Sequence, residues 1–356
     1  MGKVERQSNI ELLRILTMCG VVVLHYNNEN MGGGLSYAIG TNLYILYFLE
    51  SIFICAVNLF VLISGYFMCE RQKRTLAKPF ELLVQVVLFS EAGYFATAII
   101  HNEKIGIKHI VGRLIPSNWF VILYITLYLL SPFINMVICE AERKGVFKKL
   151  VVLMLLLFSI YPTMCDMLSE VTHKEFFGLS SVGMYGSQRG YTIVNFVMMY
   201  IVGAYLRKNS DSVRGEKSGF RFVMLATVLT VWVVLGDKLG INAENNAWEY
   251  CNPLIIWMAV EAFQLFRKID MGCNKIVNYL AGASFTVYLM HAQFFRFLAI
   301  PKFVIKNPAA MLIHIVASVM AVYLICVVID EVYHKVMTIM FKQLYGKVDF
   351  LQKDLF

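Results

Sequence analysis

The apolar residues of this chain gather into runs close to the ~20 residues that a helix needs to cross a hydrocarbon core about 30 Å thick. Short charged stretches separate the runs. Between such runs there is no room for a soluble core, and in lipid each backbone polar group must be satisfied within its own helix or barrel. The pattern therefore predicts an all-α, polytopic transmembrane bundle. Composition agrees: 58% of residues are hydrophobic and 16% charged, where soluble domains run near 45–50% and about 25%. Aromatic residues at 14% fit interfacial belts.

About ten spans are expected, at 9–27, 43–68, 80–100, 118–139, 148–168, 191–206, 219–236, 252–266, 276–297 and 310–334. The sixth and eighth are short enough to be broken or tilted. Residues 334–356 alternate basic and apolar side chains (Lys335, Phe341, Lys342, Tyr345, Lys347, Phe350, Lys353) and read as an amphipathic cytoplasmic tail lying on the membrane surface. Ten spans put both termini on one side. Of the 32 Lys and Arg, roughly 22 fall on that side and about nine opposite, so the positive-inside rule makes both termini cytoplasmic.

Several function classes drop out. The net charge of +8 is distributed by topology, so no nucleic-acid partner is implied. Eight scattered cysteines without a CxxC pair indicate neither a metal site nor a disulfide framework. Lys3 and Arg6 precede an apolar run as in a signal peptide, but that run carries Arg14 and His25 and no small-residue cleavage site follows it. It reads as a retained first span. Gly32–Gly34 lacks the strand–helix context and the Lys-Ser/Thr ending of a phosphate loop. No repeat is visible and no loop is long enough for a soluble domain, so residues 1–356 form one membrane domain.

Ionisable residues inside spans cost about 2.5–3.5 kcal/mol on insertion scales and are functional candidates by default. Arg14 and His25 stand eleven residues apart, three turns plus about 20°, on one face of the first span and roughly 16 Å apart along its axis. A fixed cation near the cytoplasmic mouth and a titratable imidazole near the outer mouth suit a long anionic donor threaded from the cytoplasm. Imidazole suits general-base work near neutral pH. The plainer alternatives are Arg14 paired with Glu11 one turn earlier and His25 as an interfacial residue. Glu50 in the second span lies at a depth similar to His25, to orient it, to contact an acceptor hydroxyl or to make a structural pair. Glu91 is a further buried acid. His291 reaches the outer half from the ninth span and is placed to share a site with His25. Arg71, Lys73, Arg74 and Lys78 follow the second span and suit phosphate groups, or simply obey the positive-inside rule.

These residues also resemble a family. ELLRILTMCGVVVLHY, with Arg14, ten residues and His25, is similar to the opening helix of the acyltransferase-3 family of integral membrane O-acyltransferases. VNLFVLISGYF, with Asn58, Ser64 and Gly65, resembles its second-helix motif, and Arg71 to Arg74 its Arg-x-x-Arg element. NWFVILYITLYLLSPFIN, with Trp119, Tyr128 and Pro132, resembles its fourth-helix motif, and SFTVYLMH, ending at His291, its late serine-to-histidine motif. Five motifs in order from residue 9 to about 293 are fairly specific. One departs: many members carry Glu five residues after the Trp, where this chain has Tyr124.

The resemblance implies transfer of an acyl group, usually acetyl, from cytoplasmic acyl-CoA to a hydroxyl of an extracytoplasmic glycan or cell-surface polymer at the cell membrane, without a metal. On that reading the donor's phosphates sit near Arg71, Arg74 and Lys78, and its pantetheine arm passes Arg14. His25 takes the acceptor's proton or carries the acyl group itself. Trp119, Tyr128 and His291 line the passage or contact the acceptor, Glu50 assists, and the Asn58 amide offers an oxyanion donor. The rival readings are a transporter or flippase relaying protons through Glu50, Glu91 and His25, and a polytopic module with no activity of its own.

Overall fold

Between Pro308 and Gly346 nothing interrupts a helix, since the stretch holds neither a glycine nor a second proline. It forms one helix of 38 residues, Pro308–Tyr345, opened by Asn307, whose side chain accepts from the Ala310 N–H. Its exposed apolar residues Ile313, Val316, Met320, Leu324, Val328 and Val332 fall three or four apart. They make one stripe roughly 29 Å long, the thickness of a hydrocarbon core. An unpartnered apolar stripe of that length faces lipid, and the remaining turns overhang the membrane.

The computed structural model describes residues 7–102, 104–174, 176, 190–209, 216–346 and 348–355. Lys3 and Arg6, which precede the first span, and Lys347 of the tail lie outside them. The principal helices are α1 (Ser8–Asn27), α2 (Thr41–Met68), α3 (Ala77–His101), α4 (Trp119–Arg143), α5 (Phe147–Thr172), α6 (Ile193–Lys208), α7 (Ser218–Leu239), α8 (Pro253–Arg267), α9 (Lys275–Gly282), α10 (Ser284–Met290) and α11 (Pro308–Tyr345). α2 passes through a turn at Ile54 and Cys55, and α5 contains a π-helical turn at Leu156–Ile160. No strand occurs among the described residues.

Among the described residues, seven helices are long and apolar enough to cross a membrane: α1, α2, α3, α4, α5, α7 and α11. The other three expected spans differ. α6 and α8 are continuous but have only 16 and 15 residues. The ninth is not one helix: it breaks at Ala283 between α9 and α10, and passes into a 3₁₀ turn at His291–Phe297. The tail also departs from expectation. The last span runs on to Tyr345, and residues 348–355 fold back on the loop after α2, where the Leu355 N–H donates to the Arg74 carbonyl at 2.8 Å. Leu351 is buried there.

The bundle is tightest where α2 meets α6. A Cβ on Gly65 would meet the carbonyl oxygen of Tyr200, and one on Gly203 that of Leu62. The two backbones therefore touch through small residues, the usual way helices associate when lipid offers no hydrophobic drive between them. α6 is enclosed by protein, with Phe196, Met199, Tyr200 and Ala204 fully buried. α1 packs against α2, α8, α9, α10 and α11, which places its polar face at the centre of the bundle.

Candidate active site

α1 carries no Gly/Pro break between Ser8 and Asn27 other than the tolerated Gly20, which packs under Phe53. Its 3.6-residue period is therefore kept from Arg14 to His25. Both side chains line one cavity of about 380 Å³. It runs along α1 from Glu11 and Arg14 to His25 and Asn28, walled by α2 through Glu50, α3 through Lys78, α4 through Trp119 and Tyr124, and α10 through Tyr288. At one mouth, Arg14 pairs with Glu11 at 3.3 Å while both still line the cavity.

At the other mouth two histidines meet. His25 Nδ1 lies against His291 Nε2, with ring centroids 4.7 Å apart and planes within 3°. His291 is buried, and its Nδ1 lies 2.9 Å from the Val287 carbonyl oxygen. Asn27 and Glu50 make the second polar contact here, Asn27 Nδ2 donating to Glu50 Oε2 at 2.8 Å. Glu50 thus does not bond to His25 as its depth allowed; it contacts the next polar side chain of α1. Opposite stands an aromatic wall: Trp119 packs against Tyr191 (4.6 Å) and Tyr250 (6.3 Å). Tyr288, which donates to Asn118 Oδ1 at 2.9 Å, closes the side next to His291.

The structure sorts the residues singled out from the sequence. Arg14, His25, Glu50, Lys78 and Trp119 share the cavity, and His291 stands behind His25. Asn58, Arg71, Arg74 and Tyr128 do not line it. Asn58 is fully buried; its Nδ2 donates to the Tyr250 carbonyl at 2.7 Å and its Oδ1 accepts from Asn195 at 3.0 Å, so its amide joins α2 to α6 instead of facing an oxyanion. Arg74 is buried too, donating from Nε to the Ser131 hydroxyl at 2.8 Å and from Nη1 to the Lys73 carbonyl at 2.8 Å, with Tyr128 under its guanidinium. It locks the loop after α2 onto α4. Asn135 completes the lock by donating to the Met68 and Arg71 carbonyls. Arg71 is exposed. Lys73 pairs with Asp354 of the tail at 2.9 Å, and that carboxylate holds its ammonium above the usual lysine range.

Trp119 and Tyr128 cannot both face one cavity for a simple reason. Nine residues apart on a straight helix is two turns and a half, so they point to opposite sides of α4. Tyr124, at the position where a Glu is common, lines the cavity and stacks on Phe120 (6.1 Å, planes 17° apart). Glu11 and Glu50 are the acids that reach the lining instead.

The order of motifs, the bundle and a cavity joining Arg14 to His25 fit one family, and comparison agrees: the sequence model of a family described as an acyltransferase domain matches residues 7–331. The chain belongs to the acyltransferase-3 family. It is a multi-pass membrane acyltransferase. No curated protein and no solved structure matches it.

Three tyrosines of this acyltransferase's cavity escaped the sequence reading. Tyr191 and Tyr250 precede α6 and α8, the first at the very start of the expected sixth span and the second just ahead of the expected eighth. Their signal was a tyrosine beside an unusually short span. Tyr288 sits inside SFTVYLMH, one turn before His291, and that spacing alone puts both on one face of α10.

Proposed function

We propose that the chain transfers an acyl group, usually acetyl, from cytoplasmic acyl-CoA to a hydroxyl of an extracytoplasmic glycan or cell-surface polymer in the cell membrane, with His25 as the general base. The supporting observation is the single cavity along α1 with Arg14 at one end and His25 at the other, roughly 16 Å apart by helix rise.

On this reading both termini face the cytoplasm and acyl-CoA enters at the Arg14 end. Lys78, which also lines the cavity, meets its phosphates together with Arg71 at the surface, while Arg74 holds their loop in place. The acyl thioester reaches His25. An acceptor hydroxyl stacked through its sugar on Trp119 and Tyr250 gives its proton to His25 as its oxygen attacks the thioester carbonyl. The C–O bond forms, the C–S bond breaks, and the proton passes to the departing thiolate, leaving an ester and free CoA thiol. The phenols of Tyr191 and Tyr250 take over from Asn58 as candidate donors to the developing oxyanion.

A proton-coupled carrier is favoured by one feature: half-buried Glu91 in α3 has both carboxylate oxygens shielded and neither hydrogen-bonded among the described residues. A carrier releases no thiol from acyl-CoA.

The test compares alkali-labile ester on surface glycans in native cells, a deletion strain, and that strain carrying wild type or His25→Ala, with expression matched. Ester should vanish on deletion and return with wild type. His25→Ala should restore at most about 1% of it, since general-base catalysis supplies 10²–10⁴-fold. Equal restoration by His25→Ala would end the assigned role of His25. Unchanged ester on deletion would end the glycan acceptor, and acetyl-CoA thiol release by purified protein would then separate enzyme from carrier.

A further inference from the structure

The two histidines are joined in a definite order, and the order can be read from a carbonyl. His291 Nδ1 lies 2.9 Å from the Val287 oxygen, one turn back on the same helix. A carbonyl oxygen only accepts, with two lone pairs; here one takes the His291 backbone N–H and the other the ring. The proton of the neutral His291 ring is therefore on Nδ1. Its Nε2 is left as an acceptor, and Nε2 is the atom set against His25 Nδ1. A neutral imidazole with an acceptor facing its Nδ1 must place its own proton there. The lone pair of His25 then sits on Nε2, the ring nitrogen with no partner among the described residues, on the side chain that lines the cavity.

We propose that His291 is a positioning residue for His25: the chain Val287 carbonyl to His291 to His25 fixes His25 as its Nδ1–H tautomer and presents an unprotonated Nε2 to the cavity. His291 does not touch substrate. It does for His25 what a buried carboxylate does for the histidine of a hydrolase triad, using a neutral ring whose tautomer is set by backbone. When His25 Nε2 takes a proton, the charge is shared across the Nδ1–H to His291 contact, with no net ion buried beforehand. A neutral partner suits this depth, where a carboxylate would need its own counter-charge. The break between α10 and the 3₁₀ turn falls at His291, which leaves the ring anchored from its own preceding turn and so keeps its angle to α1.

The role in catalysis rests on the acyltransfer reading above; the tautomer order does not, and two measurements separate them. The first is the nitrogen-15 spectrum of full-length protein with labelled histidine in lipid bilayers near neutral pH, assigned with His25→Gln and His291→Gln. Wild type should show a protonated Nδ1 and a bare Nε2 on His25. His291→Phe should release His25 into a mixture of tautomers. The second is surface ester in the deletion strain carrying His291→Phe or His291→Gln at matched expression. Phe keeps the ring volume but offers no acceptor; Gln can place its carbonyl oxygen where Nε2 stood. His291→Phe should lose about 10²–10⁴-fold, the range that general-base catalysis supplies and whose upper end is reached when a catalytic histidine is left in the wrong tautomer. His291→Gln should recover at least about tenfold of that loss, where packing alone would favour Phe.

A bare Nδ1 on wild-type His25, or His291→Phe at least as active as His291→Gln, overturns the proposal. Correct spectra in a protein that forms no ester would keep the tautomer order and remove the acyltransfer reading. Normal ester with the opposite order would do the reverse.

Discussion

Two polar clusters lie buried in this bundle, each tied to a neighbouring helix through an asparagine, and they differ in what their side chains leave unengaged. In the first, Asn58 uses its amide nitrogen on the Tyr250 carbonyl and its oxygen on Asn195. The Arg74 guanidinium is likewise engaged by Ser131 and a backbone carbonyl. In the second, Asn27 holds one oxygen of Glu50, and His291 holds one nitrogen of His25, while Glu50 and His25 both line the cavity. A polar residue inside a membrane span is expensive in either place. The first cluster offsets the cost by hydrogen bonds that join helices, and the second leaves atoms facing open space. Engagement, and not mere presence in a span, separates architecture from chemistry here.

The comparison breaks first at the contact that carries the architectural side. Gly203→Ala places a methyl against the Leu62 carbonyl oxygen, and Gly65→Ala against that of Tyr200. Backbone atoms cannot rotate aside, so the helices must part. Overpacking typically costs 1–3 kcal/mol, and a clash with backbone at a buried helix contact belongs at about 3 kcal/mol or above. Either variant should accumulate poorly and melt well below wild type in detergent. Gly112→Ala, with nothing within 4 Å of its Cβ, is the silent control. Wild-type melting of Gly203→Ala would mean that α2 and α6 do not pack as closely as described.

Asn58→Leu sharpens the comparison at the next level. It removes a donor from the Tyr250 carbonyl and an acceptor from Asn195 at a fully buried site, a loss of about 1–3 kcal/mol. The surviving folded protein should make ester within a few-fold of wild type, because Asn58 does not reach the cavity. Full stability with abolished transfer would return Asn58 to the oxyanion role that its amide donor suggested and would collapse the distinction between the two clusters.

How far the sequence led follows the same division. Helix periodicity within one span was legible: eleven residues put Arg14 and His25 on one face, and the cavity along α1 runs past both. The same arithmetic applied to Trp119 and Tyr128, nine apart, would have put only one of them in the cavity. Of what joins different helices, only the meeting of His25 and His291 at a common depth was legible. Nothing in the order of residues says that Arg74 meets Ser131 or that Asn58 meets Asn195, since each depends on which helices become neighbours. The spans themselves were visible as apolar runs, and Gly282, the residue before the break at Ala283, was the one local sign that the ninth would not run through as a single helix. The return of residues 348–355 to Arg74, which sets the tail against the loop after α2 in place of a lone surface helix, left no such sign.

The smallest expected effect tests the open end of the second cluster. Arg14 is a third exposed and has Glu11 at 3.3 Å, so its charge is partly screened and partly answered already. If it steadies the donor's arm in both ground and transition states, its removal should raise KM and leave kcat alone. Arg14→Gln should therefore raise KM for acetyl-CoA about tenfold, equivalent to ~1.4 kcal/mol, with little change in kcat in membranes holding the native acceptor. Glu11→Gln should move the other way or not at all, since it frees the guanidinium for an anionic donor. A fall in kcat with KM unchanged in Arg14→Gln would mean that the guanidinium acts on the reacting groups. Arg14 would then belong with His25 rather than at the entrance, and the cavity would have to bend the thioester back toward the Arg14 end of α1.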